Sequence, residues 1–227
     1  MNHITTPEYL YNGLNFQLLD FSITLLIIAF TTLVSYQGFQ SYAYIDRLKH
    51  TPAREFEFKE YYRMLTSGFV HADWTHLIVN MFVLYSFGNY IESFITSEFG
   101  SVLGRVIYLI LYLLNIVFAN IPTTLRHRFN PAFSSIGASG AVSGIIFIFI
   151  LLQPWSILYL FFIIPVPAII AGIGYLIYSS WAANQGHGRL DHSAHFAGAI
   201  AGMLMIILLK KEILSHFFFR LIHDFPL

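Results

Sequence analysis

The chain has 227 residues, 56% of them hydrophobic and 11% charged, with a formal net charge of zero and a mean hydropathy of +0.64. A soluble domain carries about 25% charged residues, so water is not this chain's only solvent. Balanced charge without a basic stripe excludes a nucleic-acid partner, and the lack of cysteine excludes disulfides, thiol catalysis and cysteine-ligated metals.

Residues 1–20 read as an N-terminal tail. No lysine or arginine precedes the first apolar run, so the basic head of a cleaved signal peptide is missing and residues 21–43 are expected to stay as a first span. Residues 44–73 set Arg47, Lys49, Arg54, Lys59 and Arg63 against Asp46, Glu55, Glu57, Glu60 and Asp73, with Phe56, Phe58, Tyr61 and Tyr62 interleaved. Disordered linkers are poor in aromatics, and amphipathic aromatics prefer the lipid–water interface. This loop is therefore expected to lie folded on or partly in the membrane.

A second span is predicted over residues 74–92 and a third over 102–120. From Phe129 to Gly188 there is no Asp, Glu, Lys or Arg, a run of roughly 60 residues that holds two or three spans at about 20 each. The fourth span, 139–152, is too short for a hydrocarbon layer about 30 Å thick unless it begins below one surface. That places Ser139 inside the membrane at the mouth of a helix, where irregular backbone needs protein or a wet cavity around it. The fifth span, 157–181, contains Pro165 and Pro167, which remove backbone donors and bend a helix; it is the span expected to move, as a lateral gate. The sixth, 193–209, ends at Lys210-Lys211 and leaves 211–227 as a C-terminal tail. The expected fold is an all-α membrane protein: a six-transmembrane-helix bundle over residues 21–210, with a partly membrane-embedded loop after the first span.

Two side chains in these spans carry chemistry. Ser139 lies in Gly137-Ala138-Ser139-Gly140, followed by Gly144; His195 lies in Ala194-His195-Phe196-Ala197-Gly198, followed by Gly202. Polar groups at such depth are costly and mark function. A serine oxygen needs a base to become a nucleophile, and the free N–H groups and positive dipole at a helix start favour a neighbouring anion. The bland reading of the serine motif is a small-residue packing face, and that of His195 is a histidine bonded to a backbone carbonyl. Together they read differently. His195, Gly198 and Gly202 share one helical face, as do Gly140 and Gly144, and two glycine faces permit the approach that a Ser–His hydrogen bond of about 2.6–3.2 Å requires.

His76 and Asn80 stand one turn apart on the second span and are candidate donors to a developing oxyanion. A competing reading makes His71, His76, His192 and His195 ligands of a metal or haem. The chain lacks the His-Glu-x-x-His and paired carboxylates of a catalytic zinc site, so neither a metal nor another cofactor is expected.

Over roughly residues 61–202 the chain resembles the rhomboid intramembrane serine proteases, in their bacterial six-span form. Tyr62-Arg63 is similar to the Trp-Arg pair of the family's first loop. His71, His76 and Asn80 match its His-x4-His-x3-Asn pattern, Glu92 falls at its acidic position in span two, and the serine and histidine motifs match Gly-x-Ser-Gly and the last-span signature. The resemblance implies a Ser139–His195 dyad without a third carboxylate. It also implies an oxyanion hole of His76, Asn80 and the Ser139 N–H, with Arg63 and Glu92 as structural tethers. One departure concerns the site: Ser143 stands one turn after Ser139, where well-known bacterial members carry a tyrosine whose ring stacks beneath the histidine.

The implied activity is endoproteolysis of membrane proteins with a helix-weak transmembrane segment, by a multi-pass protein of the lipid bilayer, of bacterial inner-membrane type. An alternative is a catalytically silent rhomboid-like adaptor that binds transmembrane helices. A small transporter is disfavoured because no two halves carry matching interrupted spans. The family topology puts the basic loop after span one outside, whereas the positive-inside count favours the reverse; the family topology is preferred because acids balance the loop's bases.

Overall fold

A computed structural model describes residues 22–160, 163–185 and 191–225. The expected N-terminal tail, and Arg189 with its neighbours in the loop before the sixth span, lie outside the described residues.

Helix α1 (Ile23–Gln40) begins at Ser22, whose hydroxyl oxygen accepts the Leu25 N–H. Its other free N–H groups meet a carboxylate from a different helix. Glu92 accepts from the backbone of Ile23 (2.7 Å) and Thr24 (2.9 Å) and from the hydroxyls of Ser22 (2.7 Å) and Thr24 (2.8 Å). A negative charge at a helix start answers both the orphan donors and the dipole.

The loop after α1 is folded. It contains α2 (Tyr42–Leu48), α3 (Pro52–Phe58) and α4 (Arg63–Thr66). Arg63 is buried at its centre and donates to the carbonyls of Asp46 (2.6 Å) and Lys49 (3.2 Å) and to the Glu60 carboxylate (2.6 Å). Arg54 grips the same carboxylate through two nitrogens, and Lys49 pairs with Asp46. Much of the loop's positive charge is thus neutralised locally. Phe56, Phe58, Tyr61 and Tyr62 face outward.

Helix α5 (Trp74–Val83) continues through a π-helical turn, Leu84–Gly88, into α6 (Asn89–Phe99), so the second span runs further than its sequence suggests. Helix α7 (Ser101–His127) follows, then α8 (Ser139–Leu152) with the bounds expected of it. The fifth span departs from its predicted course. In place of helix from residue 157, strands β1 (Ile157–Leu160) and β2 (Ile164–Pro167) pair antiparallel, Tyr159 opposite Pro165 and Ile157 opposite Pro167. β-branched residues favour extended backbone, and both prolines sit where an edge strand tolerates a missing donor. Helix α9 (Ala168–Gln185) starts only after them. Helix α10 (His192–Leu209) is capped by Asp191, and α11 (Glu212–His223) forms within the segment read as a tail.

By length and composition α1, α7 and α10 each suffice to cross a membrane; α8 and Ala168–Ala183 are apolar but shorter. Leu25, Phe30, Leu33, Ile110 and Ile177 are exposed on helix flanks, an outer surface suited to lipid. Inside, Tyr108, Tyr112, Leu77, Leu84, Ile145 and Ile206 form the buried core. Helix α10 packs chiefly on α8 and α7. Its fit to α8 is backbone on backbone. A Cβ on Gly198 would strike the Gly140 carbonyl, and one on Gly202 would lie 2.6 Å from the Gly144 Cα. The two glycine faces expected from the sequence therefore interlock.

Candidate active site

That interlock carries His195 to Ser139. The imidazole Nε2 lies 2.6 Å from the serine Oγ across 56 residues of chain. At this separation the hydroxyl can donate to Nε2, the arrangement needed for a base to accept the proton. Ser139 is the first residue of α8, so its own N–H and those just after it are free of intrahelical partners.

The turn into α8 is fixed from below. Gly137 has φ +121°, a region that disfavours residues with a Cβ, and a Cβ there would lie 2.6 Å from the His76 ring. Glycine thus permits both the backbone turn and the approach of His76. His71 is fully buried; its Nε2 accepts the Ala138 N–H (3.3 Å), so Nδ1 bears the proton shared with the Ser35 hydroxyl (2.9 Å). Both ring nitrogens are occupied, and the residue acts as a tie between α1 and the backbone before Ser139. A second tie lies one step back. His50 and Ser135 exchange both backbone hydrogen bonds at 3.0 Å, and their side chains meet at 3.1 Å. The sequence gives no periodic or motif signal for this bridge.

The two oxyanion candidates are placed differently. His76 begins at a cap, its N–H bonded to the Asp73 carboxylate (2.8 Å), and its ring lines the cavity beside Ser139. Its Nε2 is buried with no partner among the described residues. Asn80 is buried on the same helix face but spends one amide N–H on the His76 carbonyl (2.8 Å) and does not line that cavity.

An aromatic ring does lie beside His195, from a helix that motif reading does not point to. Tyr175 of α9 is near-parallel to the imidazole, with an interplanar angle of 21° and a centroid distance of 6.3 Å. Its phenol oxygen lies 2.6 Å from the Ser143 hydroxyl oxygen, which also sits 2.8 Å from the Ser139 carbonyl. The small residue at position 143 is what makes room. A tyrosine missing at one position was the only sequence signal that a ring must come from elsewhere.

A model of the Rhomboid domain matches residues 59–212. The chain belongs to the rhomboid family. It is 32% identical over 155 residues to RHOMBOID-like protein 12, mitochondrial, of Arabidopsis thaliana, a match covering 65% of this chain and 46% of that protein. It is equally 32% identical over 166 residues to the same plant's Rhomboid-like protein 11, chloroplastic (68% and 54%), and 29% identical over 147 residues to Rhomboid protein 1, mitochondrial, of Saccharomyces cerevisiae (62% and 40%). The chain spans about half the length of the curated relatives it matches. Family and apolar helices together make it a multi-pass rhomboid membrane protein. The expected bacterial inner-membrane location finds no support here, because the relatives named are mitochondrial and chloroplastic.

Proposed function

We propose that this rhomboid protein is an intramembrane serine endopeptidase. The observation that carries the reading is the 2.6 Å contact between His195 Nε2 and Ser139 Oγ. In the proposed reaction Ser139 attacks the scissile carbonyl while His195 accepts its proton, then gives it to the leaving amine. Water hydrolyses the acyl-enzyme by the reverse proton path. The tetrahedral oxygen is held by the His76 ring N–H and the Ser139 backbone N–H, with Asn80 turning its amide toward the site when substrate arrives.

The helices α1, α5–α6, α7, α8, α9 and α10 are the six spans of this reading. A helical substrate shields its own carbonyls, so the segment cleaved is one weakened by glycine, proline or small residues. Helix α9, freed at its start by the hairpin, is the side through which such a segment enters.

The test is cleavage of a helix-weak transmembrane reporter in liposomes by wild type, Ser139→Ala and His195→Ala. Each variant is expected to lose at least about a thousandfold in kcat/KM, and His76→Ala about a hundredfold, the scale of one oxyanion donor. Equal cleavage by all proteins would remove the reading. Binding without turnover by wild type would assign the chain to helix-binding adaptors.

A further inference from the structure

Helix α11 (Glu212–His223) has three flanks of different chemistry and no part in the proposed reaction. The first flank faces the protein. Ile213 is buried, Phe217 packs against the main core, and Arg220 donates to the Leu152 carbonyl (3.0 Å) and to the Gln153 side-chain oxygen (2.6 Å). These contacts occupy part of the open C-terminal end of α8. The second flank is polar, with Glu212, His216 and His223 on one side of the helix; beside them Phe219 stacks on the His223 ring, 4.2 Å between centroids. The third is apolar and bare: Leu214, Phe218 and Ile222 follow one another at i, i+4 and i+8, and all three are exposed.

The position of α11 in the fold decides what covers that flank. From the Ser139–His195 contact α8 and α10 run side by side in the same direction, Gly140 against Gly198 and Gly144 against Gly202, to Leu152 and Leu209. They end at one level, where Lys210 pairs with Glu98 from the last turn of α6. Charged side chains are costly inside a hydrocarbon layer, so this pair marks its edge. The Ile213 N–H bonds the Lys210 carbonyl at the end of α10 (3.1 Å), and Arg220 meets the end of α8. The helix between these two contacts covers about 10 Å, close to the spacing of two packed helices. Helix α11 therefore lies across the two ends, in the plane of the membrane. Leu204 and Leu208, exposed on the last turns of α10, carry the outer apolar surface up to it.

We propose that α11 is an interfacial helix docked on the bilayer that the spans cross, with Leu214, Phe218 and Ile222 among the acyl chains and Glu212, His216 and His223 among the headgroups. Helices of this kind carry their apolar face about 5–10 Å into the boundary between headgroups and acyl chains. The partner is thus a lipid surface. Because Arg220 holds the end of α8, the docked helix ties the element that begins at Ser139 to that surface.

The chain has no cysteine, so one nitroxide at a time can be attached to the full chain through Phe218→Cys, Ile222→Cys, His216→Cys or His223→Cys. All four positions are exposed, and each labelled protein is checked by thermal unfolding. In phosphatidylcholine liposomes, collisions with oxygen, which partitions into lipid, are compared with collisions with a nickel chelate present on both sides of the membrane. Labels at 218 and 222 are expected to show an oxygen-to-nickel ratio several-fold above that at 216 and 223, at a depth of about 5–10 Å. A ratio dominated by nickel at all four positions would put α11 in water and overturn the proposal. A ratio dominated by oxygen at all four would overturn it too, since the helix would then be immersed and not in the interface. Exclusion of both reagents from 218 and 222 would give the flank to a protein surface, which is a second copy of the chain if dilution in lipid restores the collisions, and would equally end the proposal.

Discussion

The two walls that flank Ser139 and His195 are built on opposite principles. On one side α10 meets α8 through Gly140, Gly144, Gly198 and Gly202, with no side chain between the backbones. On the other, α9 touches α8 and α10 through a small apolar cluster that includes Phe147, Ile150, Ala168 and Ala199, through the contact of the Tyr175 and Ser143 hydroxyls, and through Tyr178 edge-on to His192. Ile170, Ile173, Ile177, Tyr178 and Trp181 on α9 are exposed. A close-packed interior transmits a change of one methyl group, whereas a wall of side-chain tips can yield. The Ser139–His195 distance is thus set by the first wall, and the ring beside His195 comes from the second.

Glycines on the two walls should respond most differently to an added methyl group. A Cβ at Gly198 would meet the Gly140 carbonyl carbon at 2.7 Å and its oxygen closer still, both backbone atoms that cannot rotate aside. A Cβ at Gly174 of α9 meets nothing within 4 Å. Gly198→Ala should therefore cost about 1–3 kcal/mol, as overpacking does, and lose activity about a hundredfold, the scale of a 1 Å misplacement at a reacting centre. Gly174→Ala should leave activity unchanged and raise stability by about 0.5–1 kcal/mol, the helix-interior difference between the two residues. Thermal unfolding in detergent and reporter cleavage read both. Equal effects at the two positions would mean that α9 is as tightly seated as α10.

Tyr175 sharpens the same contrast at smaller scale. Its ring lies beside His195 while its hydroxyl reaches Ser143. Ring contacts of this kind contribute about 0.5–1.5 kcal/mol, so Tyr175→Ala should lower kcat by up to about tenfold. Tyr175→Phe, which keeps the ring, should retain most of kcat but loosen α9 and shift KM. If Phe and Ala variants lost kcat alike, the hydroxyl contact to Ser143 would be the support and the ring incidental.

Which of these walls could be read in the sequence follows from how each is built. Glycine pairs at i and i+4 on two spans point to a close crossing, which α8 and α10 make, and the bounds expected for residues 139–152 are those of α8. Glu92 and Arg63 stand in motifs, and their contacts are those of tethers. The α9 wall was less legible. A run such as Ile157 to Pro167 is apolar enough to pass for a span, and only pairing between Tyr159 and Pro165 distinguishes a hairpin from a bent helix. Tyr175 reaches the site from α9 through tertiary packing, which leaves no periodic trace.

The smallest expected effect provides the control for that contrast, because it concerns charge remote from both walls. Arg54 and then Arg63 hydrogen-bond the Glu60 carboxylate and hold its pKa down at about 2, against an ordinary 4.5. A carboxyl depressed in the folded state binds fewer protons there than in the unfolded chain, so its contribution is complete above about pH 4.5 and is lost as pH falls toward 2. Water beside the group screens the pair, which limits the contribution to about 1 kcal/mol or less. Glu60→Gln should therefore lower the unfolding midpoint slightly at pH 7 and make no difference near pH 2. It should leave kcat alone at either pH where the fold survives, since the loop reaches the serine turn through the His50–Ser135 bridge, the Gly137 N–H donated to the Ser67 carbonyl and the Ala138 N–H donated to His71, and not through this ion pair. A kcat that tracked Glu60 titration would mean that the loop, and not only the glycine seam, sets the position of Ser139.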